Sequence, residues 1–257
     1  MDSQILILGA TGLLGKYVTK VLKAKHPILA GRTKPANVKQ EFWRDVDLLT
    51  CTGLEVALTG VDTVVHLASA TRGFDSRVDV DGTAELLRVA RAKNIKHLLY
   101  VSIVGIDRIP IKYYKIKLET EKLIKDAGLP YTILRATQFH EFVDLILEKA
   151  MGLPLGFGLK RARIQPVETA AVAREIGTLL DRGPGNDTIE LGGPEVFTFS
   201  DLARTWLAAQ KQSKLIVPIP ELFFGKAGRP LTAGALTTNR ASRDSIGWNA
   251  WLQAKYG

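Results

Sequence analysis

The apolar run Ile5-Leu6-Ile7-Leu8 passes directly into Gly9-Ala10-Thr11-Gly12-Leu13-Leu14-Gly15, and apolar residues then recur at helical spacing through Leu14, Val18, Val21 and Leu22. A buried strand, a glycine turn and an amphipathic helix in that order form the context that a dinucleotide-binding turn requires. Gly9 permits the sharp turn off the strand, Gly12 lets backbone N–H groups approach a pyrophosphate, and Gly15 lets the helix pack tightly on the strand. Phosphates then sit at the positive end of the helix. Thr11, Leu13 and Leu14 join the three glycines as candidate cofactor-binding residues. The competing reading is a surface turn that merely collects glycine.

The remainder of the first half keeps the rhythm of strand and helix. A short second strand, His26 to Gly31, ends in Arg32-Thr33-Lys34. An acidic side chain at this point would accept from an adenosine ribose hydroxyl, whereas arginine suits a 2′-phosphate. No acid stands there, so Arg32 points to NADP(H), with NAD(H) the weaker ligand; the alternative is an ordinary polar loop. Trp43 to Asp47 reads as a third strand and its exit, with Asp45 either capping the next helix, around Leu54 to Leu58, or contacting adenine. Val61 to Ser69 is a buried strand whose small terminal residues, Ala68 and Ser69, let a cofactor pass over its end; His66 within it reads as a packed core residue. Asp79-Val80-Asp81-Gly82-Thr83 opens a helix with aspartates suited to its N-terminus. Lys96 to Ser102 is a fifth strand, Tyr113 to Ala127 a helix ended by Gly128 and Pro130, and Tyr131 to Arg135 a sixth strand. This alternation specifies an α/β fold with a doubly wound parallel sheet and ligands at the C-terminal strand ends.

Composition closes off other classes. The 257 residues suit one large α/β domain or a nucleotide domain with a small appendage, and a single cysteine, Cys51, rules out an intrachain disulfide. The four scattered histidines offer no metal-ligand spacing, so no metal site is expected. A net charge of +9 raises nucleic acid as a partner, but the lysines are interleaved with core positions on helices, as solvated faces are, and no nucleic-acid motif is present. No apolar stretch approaches the roughly 20 residues of a membrane span. The expectation is a cytoplasmic protein, a monomer or homodimer, acting on a small molecule with neither nucleic acid nor membrane as partner.

The glycine turn, the strand ending Leu67-Ala68-Ser69, Ser102 and the pair Tyr113 and Lys117 together resemble the short-chain dehydrogenase/reductase superfamily. The stretch YTILRATQFHEF, Tyr131 to Phe142, is similar to its atypical NmrA-like branch, which binds NAD(P)H. The resemblance is continuous to about Phe142 and looser beyond. It implies a Rossmann core with a small C-terminal substrate-binding lobe: residues 1–150, rejoined by 164–193, form the core, and 151–163 with 194–257 the lobe. Asp81 stands where many relatives carry asparagine, and Ala136 where a proline is common after the sixth strand.

Tyr113 and Lys117, four apart on one helix, leave the same face, so the ammonium can sit near the phenol and lower its pKa. By the resemblance, Tyr113 protonates the substrate oxygen, Lys117 also holds the nicotinamide ribose, and Ser102 hydrogen-bonds the carbonyl; Tyr114 could supply the hydroxyl instead. Phe139, His140, Met151 and Phe157 are candidate substrate-binding residues, the stretch Met151 to Gly158 being either a pocket wall or a packed connector. Further on, Glu168 to Leu180 reads as a helix, Thr188 to Gly193 as a returning strand, Ser200 to Ala209 as a helix capped by Ser200, and Leu215 to Pro220 as an extended edge. The leading expectation is an NADPH-dependent oxidoreductase acting on a small, fairly apolar carbonyl, enone or quinone-like substrate. A non-catalytic NADP(H) sensor and a sugar-nucleotide epimerase are the alternatives, because one fold hosts all three.

Overall fold

A computed structural model describes residues 3–70, 75–152 and 154–257. The chain runs β1 (Ile5–Leu8), α1 (Leu13–Val21), β2 (Ile28–Gly31), β3 (Trp43–Asp45), α2 (Leu54–Ala57), β4 (Thr63–His66), α3 (Gly82–Ala92), β5 (His97–Ile103), α4 (Lys112–Asp126) and β6 (Tyr131–Ala136). It continues through α5 (His140–Ala150), β7 (Gly156–Gly158), β8 (Arg163–Ile164), α6 (Thr169–Arg182), β9 (Asp187–Leu191), β10 (Phe197–Thr198), α7 (Phe199–Ala209), β11 (Ile216–Pro218), α8 (Gly228–Thr232) and α9 (Trp248–Tyr256). Contacts divide it into two compact units. The first holds Met1–Ser102, Lys112–Leu134 and Val172–Ile189, and the second Ile103–Ile111, Arg135–Ala171 and Glu190–Gly257.

The principal sheet has seven strands in the order β3-β2-β1-β4-β5-β6-β9. β1 pairs in parallel with β2 on one side (Leu6 opposite Ile28) and with β4 on the other (Ile5 opposite Thr63). Leu98 N–H donates to Pro130 O and Val104 N–H to Ala136 O, an ascending match that makes β5 and β6 parallel. Asn186 N–H to Tyr131 O and Thr137 N–H to Leu191 O do the same for β6 and β9. The doubly wound parallel sheet expected from the sequence is therefore present.

Every residue of β1 and β4 is buried, as befits parallel strands covered on both faces. Alternation sends Leu6, Leu8, Val64, Leu98 and Tyr100 into one cluster with Leu86, Val89 and Ala90 of α3 and Ile124 of α4. Successive crossovers run in opposite directions from β1, and right-handed connection places α1 and α3 on opposite faces. The chain order reverses between β1 and β4, and in such sheets ligands bind outside the carboxyl ends of the strands at that point.

In the second unit, β10 pairs antiparallel with β8 and β11 pairs in parallel with β7. Asp144 of α5 joins three segments: its carboxylate accepts from Trp206 Nε1 of α7 at 2.7 Å, and from Lys255 Nζ at 2.5 Å and Tyr256 OH at 2.6 Å on α9. Burial raises its pKa, but these donors outweigh that effect and hold the carboxyl below its usual range. The cap of α7 corrects the expected one. Thr198, not Ser200, accepts from Asp201 N–H, and Asp201 reaches back to the Thr198 N–H in a reciprocal box.

Three histidines are buried and held well below their ordinary pKa. His66, whose Nε2 lies 2.9 Å from Thr83 Oγ1, is pushed down to about 3 by burial and then by Lys117. His97 falls to about 4 through burial and Arg182, and His140 to about 4 through burial. Such a group is neutral when folded and takes a proton when unfolded, so stability is present above the unfolded value near 6.5 and drains as pH falls toward the folded one. Thermal melts should show Tm falling only slightly from pH 8 to 7, where Lys117 contributes, and steadily between pH 6.5 and 4, each histidine contributing up to about 1.4 kcal/mol per pH unit. His66→Gln should flatten that slope; an unchanged slope would show that His66 does not titrate in this window.

Candidate active site

The turn after β1 is set by two close approaches. Gly9 has φ of +88°, and a Cβ on it would lie 2.7 Å from the Ala68 nitrogen. A Cβ on Gly15 would lie 2.3 Å from Gly9 O and 2.7 Å from the Ala10 carbonyl carbon. Glycine at these positions is demanded by the protein itself. Gly12 differs: its backbone is extended (φ −68°, ψ 172°), and a Cβ there would meet only Gly9 O, at 3.3 Å. The fold tolerates a side chain at position 12, and what glycine preserves there is room on the outer side of the turn. The first turn of α1 carries no acidic residue, and among the described residues no side chain caps it, so the positive end of its dipole is left without a capping acceptor. A dinucleotide pyrophosphate fits this cradle.

At the end of β2, a Cβ on Gly31 would lie 3.3 Å from the Trp43 ring and 4.0 Å from Thr11 Oγ1, so the end of β2 lies beside the turn. Arg32 is exposed and makes no hydrogen bond or ion pair with the described residues. Lys34 instead donates to Val38 O at 2.7 Å and closes its own loop. Asp45 lies opposite Gly31, and its Oδ1 accepts from Trp43 Nε1 at 2.7 Å. Asp45 is not a cap, because Gly53 occupies the N-cap of α2.

The C-terminal ends of β4 and β5 gather polar groups around one buried acid. Asp79, 2% exposed, lies in a π-helical turn (Arg77–Asp81) ahead of α3. Its Oδ1 accepts from Ser69 Oγ at 2.6 Å and its Oδ2 from Ala70 N–H at 2.8 Å. Tyr113 OH lies 3.0 Å from Ser69 Oγ. The single serine proton is committed to Asp79, so in this link the phenol donates to Ser69. Asp79 O in turn accepts from Thr120 Oγ1 of α4 at 3.1 Å. The aspartates were expected to cap α3; Asp79 instead braces the exit of β4, while Asp81 is exposed. Nothing in the sequence pattern distinguished Asp79 from Asp81, since both precede the helix.

Lys117 departs from its expected place. It is 3% exposed, its Nζ donates to Val101 O at 3.0 Å and lies 4.2 Å from the Tyr100 ring centroid. Burial lowers its pKa to about 8, against the opposing pull of Asp79 and Glu121. The Tyr113 phenol is shifted upward, not downward: burial raises it and Asp79 raises it further. The expected lowering by a neighbouring ammonium is absent, because that ammonium is turned toward β5. Ser102 is 2% exposed, and its hydroxyl has no partner among the described residues. Tyr114, the alternative hydroxyl, is 8% exposed.

The four candidate substrate-binding residues all belong to the second unit. His140 is fully buried between Trp248 and Trp251, at ring separations of 5.8 and 5.5 Å. Met151 is buried against Gly156, where a Cβ would meet its sulfur at 2.3 Å. Phe139 is half-buried at the start of α5, and Phe157 is exposed on β7. In the stretch Met151 to Gly158, Leu153 lies outside the described residues.

A doubly wound sheet with a glycine turn at its switch point and a tyrosine–serine–aspartate cluster at the neighbouring strand ends defines a nucleotide-dependent protein of the short-chain dehydrogenase/reductase class. The chain belongs to the NAD(P)H-binding family, whose model matches residues 9–148, in keeping with the NmrA-like resemblance. It is 27% identical over 216 residues to quinone oxidoreductase 2 of Escherichia coli, covering 77% of this chain and 72% of that one. It is 26% identical over 234 residues to photosystem II assembly factor Ycf39 of Trieres chinensis, covering 84% and 72%. The solved structure of the E. coli NADPH-dependent quinone oxidoreductase QOR2 with NADPH superposes with a TM-score of 0.80 at 21% identity, over 99% of this chain and all (100%) of that one. Among the described residues, no helix is long and apolar enough to cross a membrane.

The two kinds of glycine separate experimentally. Gly15→Val should destabilise the protein by more than about 3 kcal/mol, the scale of severe overpacking. Gly12→Val should change stability by only about 1 kcal/mol yet abolish NADPH binding in a calorimetric titration. Retained affinity in a folded Gly12→Val protein would place the phosphates elsewhere.

Proposed function

We propose that this chain is an NADPH-dependent reductase of a small, fairly apolar carbonyl, enone or quinone-like substrate. The observation that carries the reading is the continuity of the first unit's strand ends. Gly9 of the phosphate turn abuts Ala68; the next residue, Ser69, accepts the hydroxyl of Tyr113. A group able to donate a proton therefore stands one residue from the backbone that receives the cofactor. The similarity to an NADPH-dependent quinone oxidoreductase supports the same substrate class.

When bound, NADPH supplies hydride to the substrate. The turn of Gly9, Thr11, Gly12, Leu13, Leu14 and Gly15 would hold its pyrophosphate, Arg32 its 2′-phosphate, and Ala68, Ser69 and Lys117 the nicotinamide end. Asp45 would border the adenine. Tyr113 would release its phenolic proton to the substrate oxygen and regain one from solvent, while Ser102 would donate its unpaired hydroxyl to that oxygen. Lys117, with a pKa of about 8, stays mostly charged at neutral pH. A second reading, a sensor that binds NADP(H) without turnover, is favoured by the placement of Lys117 away from the phenol.

Titration calorimetry should give tighter binding of NADPH than NADH. Arg32→Ala should weaken NADPH by roughly 1.5–3 kcal/mol, the range for a hydrogen bond to a charged group, and leave NADH nearly unchanged. Equal affinities for both cofactors would overturn the assignment. Loss of nicotinamide absorbance with a panel of quinones, enones and aldehydes tests the chemistry, and Tyr113→Phe should lower turnover roughly 100-fold or more while retaining NADPH. A null across the panel with NADPH binding intact would move the conclusion to the sensor.

A further inference from the structure

The sequence pattern assigned Asp79 only a helix-capping part, yet it is the one acid at the buried end of the hydrogen-bond chain that leads to Tyr113. We propose that Asp79, acting through the Ser69 hydroxyl, is the positioning residue that fixes the direction of the Tyr113 proton. The inference rests on the reductase reading for its purpose but on geometry for its substance. A carboxylate only accepts, so it takes the serine proton at 2.6 Å. That leaves the serine oxygen to accept from the phenol at 3.0 Å. The rotation of the tyrosine hydroxyl is thereby set, and its lone pairs face away from Ser69. A substrate oxygen arriving at Tyr113 has to draw the proton out of this link, and the chain returns to the same orientation once the phenol regains a proton. Asp79 is itself immobilised, with its second oxygen on Ala70 N–H and its own carbonyl accepting from Thr120 of α4. Burial of such a group is tolerable because both oxygens are hydrogen-bonded.

The charges around Tyr113 give this arrangement a signature. Asp79 faces the phenol from the turn ahead of α3, Tyr100 from β5, and Tyr114 and Lys117 share its own helix. Of these, Asp79 disfavours the phenolate, and a serine oxygen that accepts from the phenol favours the neutral form as well. Removing the carboxylate charge should lower the Tyr113 pKa, and removing the accepting serine hydroxyl should lower it too. A serine that instead donated to the phenol would give a rise on its removal, so the sign of that shift reads the direction of the proton.

The test uses the full-length chain labelled with [13Cζ]tyrosine, with the Tyr113 resonance assigned by its absence in Tyr113→Phe. Titration by NMR, with circular dichroism to confirm folding, reads the phenol directly and needs no turnover. Tyr113 should titrate above its ordinary value of about 10 in the native protein. It should move down by about one unit in Asp79→Asn and down by a similar amount in Ser69→Ala. Ser69→Thr, which keeps a hydroxyl, should restore the native value and supplies a second route should Asp79→Asn fail to fold. A rise in Ser69→Ala, or no shift in the folded variants, would overturn the proposal. With 1,4-benzoquinone and NADPH, Ser69→Ala should lower kcat about tenfold with KM for the quinone within about twofold, and Ser69→Thr should recover most of it. Downward shifts in both variants without turnover of any quinone would leave the positioning chain standing and overturn the reductase reading; turnover without the shifts would do the reverse.

Discussion

The first unit depends on how closely the backbone of the glycine turn approaches the exit of β4. The Gly9 N–H is bonded to Ala30 O of β2, while the space a side chain would need is taken by the backbone of Leu67 and Ala68. Three strand ends are thereby brought together at one point, and α1 is seated on the turn through Gly15 without a Cβ between them. No single residue type other than glycine satisfies both the positive φ at position 9 and the contact with Ala68. Everything with chemical potential in this unit then lies a short step from that contact: Thr11 beside the end of β2, Ser69 just past Ala68, and the acid that holds Ser69.

Asp79 extends the same logic into polar chemistry. Strand ends leave backbone groups without ladder partners, and a buried N–H such as that of Ala70 must find an acceptor. A carboxylate has more acceptor capacity than one amide proton requires, and the surplus is taken by Ser69. A structural requirement at the exit of β4 thus places a negative charge within reach of the tyrosine hydroxyl. The same buried charge supports Lys117: without Asp79 and Glu121 nearby, burial would depress the ammonium further.

The fold was legible because its signals are local and periodic. The run Ile5 to Leu8 is apolar throughout, Val64 and Val65 mark the next buried strand, Gly128 and Gly60 stop their helical segments at positive φ, and the alternation of strand with helix leaves parallel pairing as the economical topology. The second unit was less so. α5 starts without a capping side chain, and β8 and β10 are two residues each, too short for alternation to register. α9 is held by Asp144, more than a hundred positions earlier, through Lys255 and Tyr256, a tie that no local pattern announces. Within the site, the glycines, Arg32, Ser69, Ser102 and Tyr113 could be picked out by their place at strand ends and helix starts. Which of two neighbouring aspartates turns inward could not, because the π-helical turn that holds both Asp79 and Asp81 shifts the helical phase by which a face would be assigned.

Lys117 shows the general limit of spacing arguments. Positions four apart share a helix face, but a lysine stem is long enough to deliver its ammonium to several acceptors on that face. Val101 O offers a hydrogen bond, and the face of Tyr100 offers the attraction of an aromatic ring, both inside the protein where an ammonium without partners would be expensive. A neutral phenol oxygen is a weaker acceptor than a backbone carbonyl. The ammonium therefore settles against β5, and the tyrosine is left with burial and Asp79 both opposing its ionisation. A phenol so placed holds its proton firmly through the neutral range. The protonation state of this cluster thus follows in part from where one lysine side chain comes to rest.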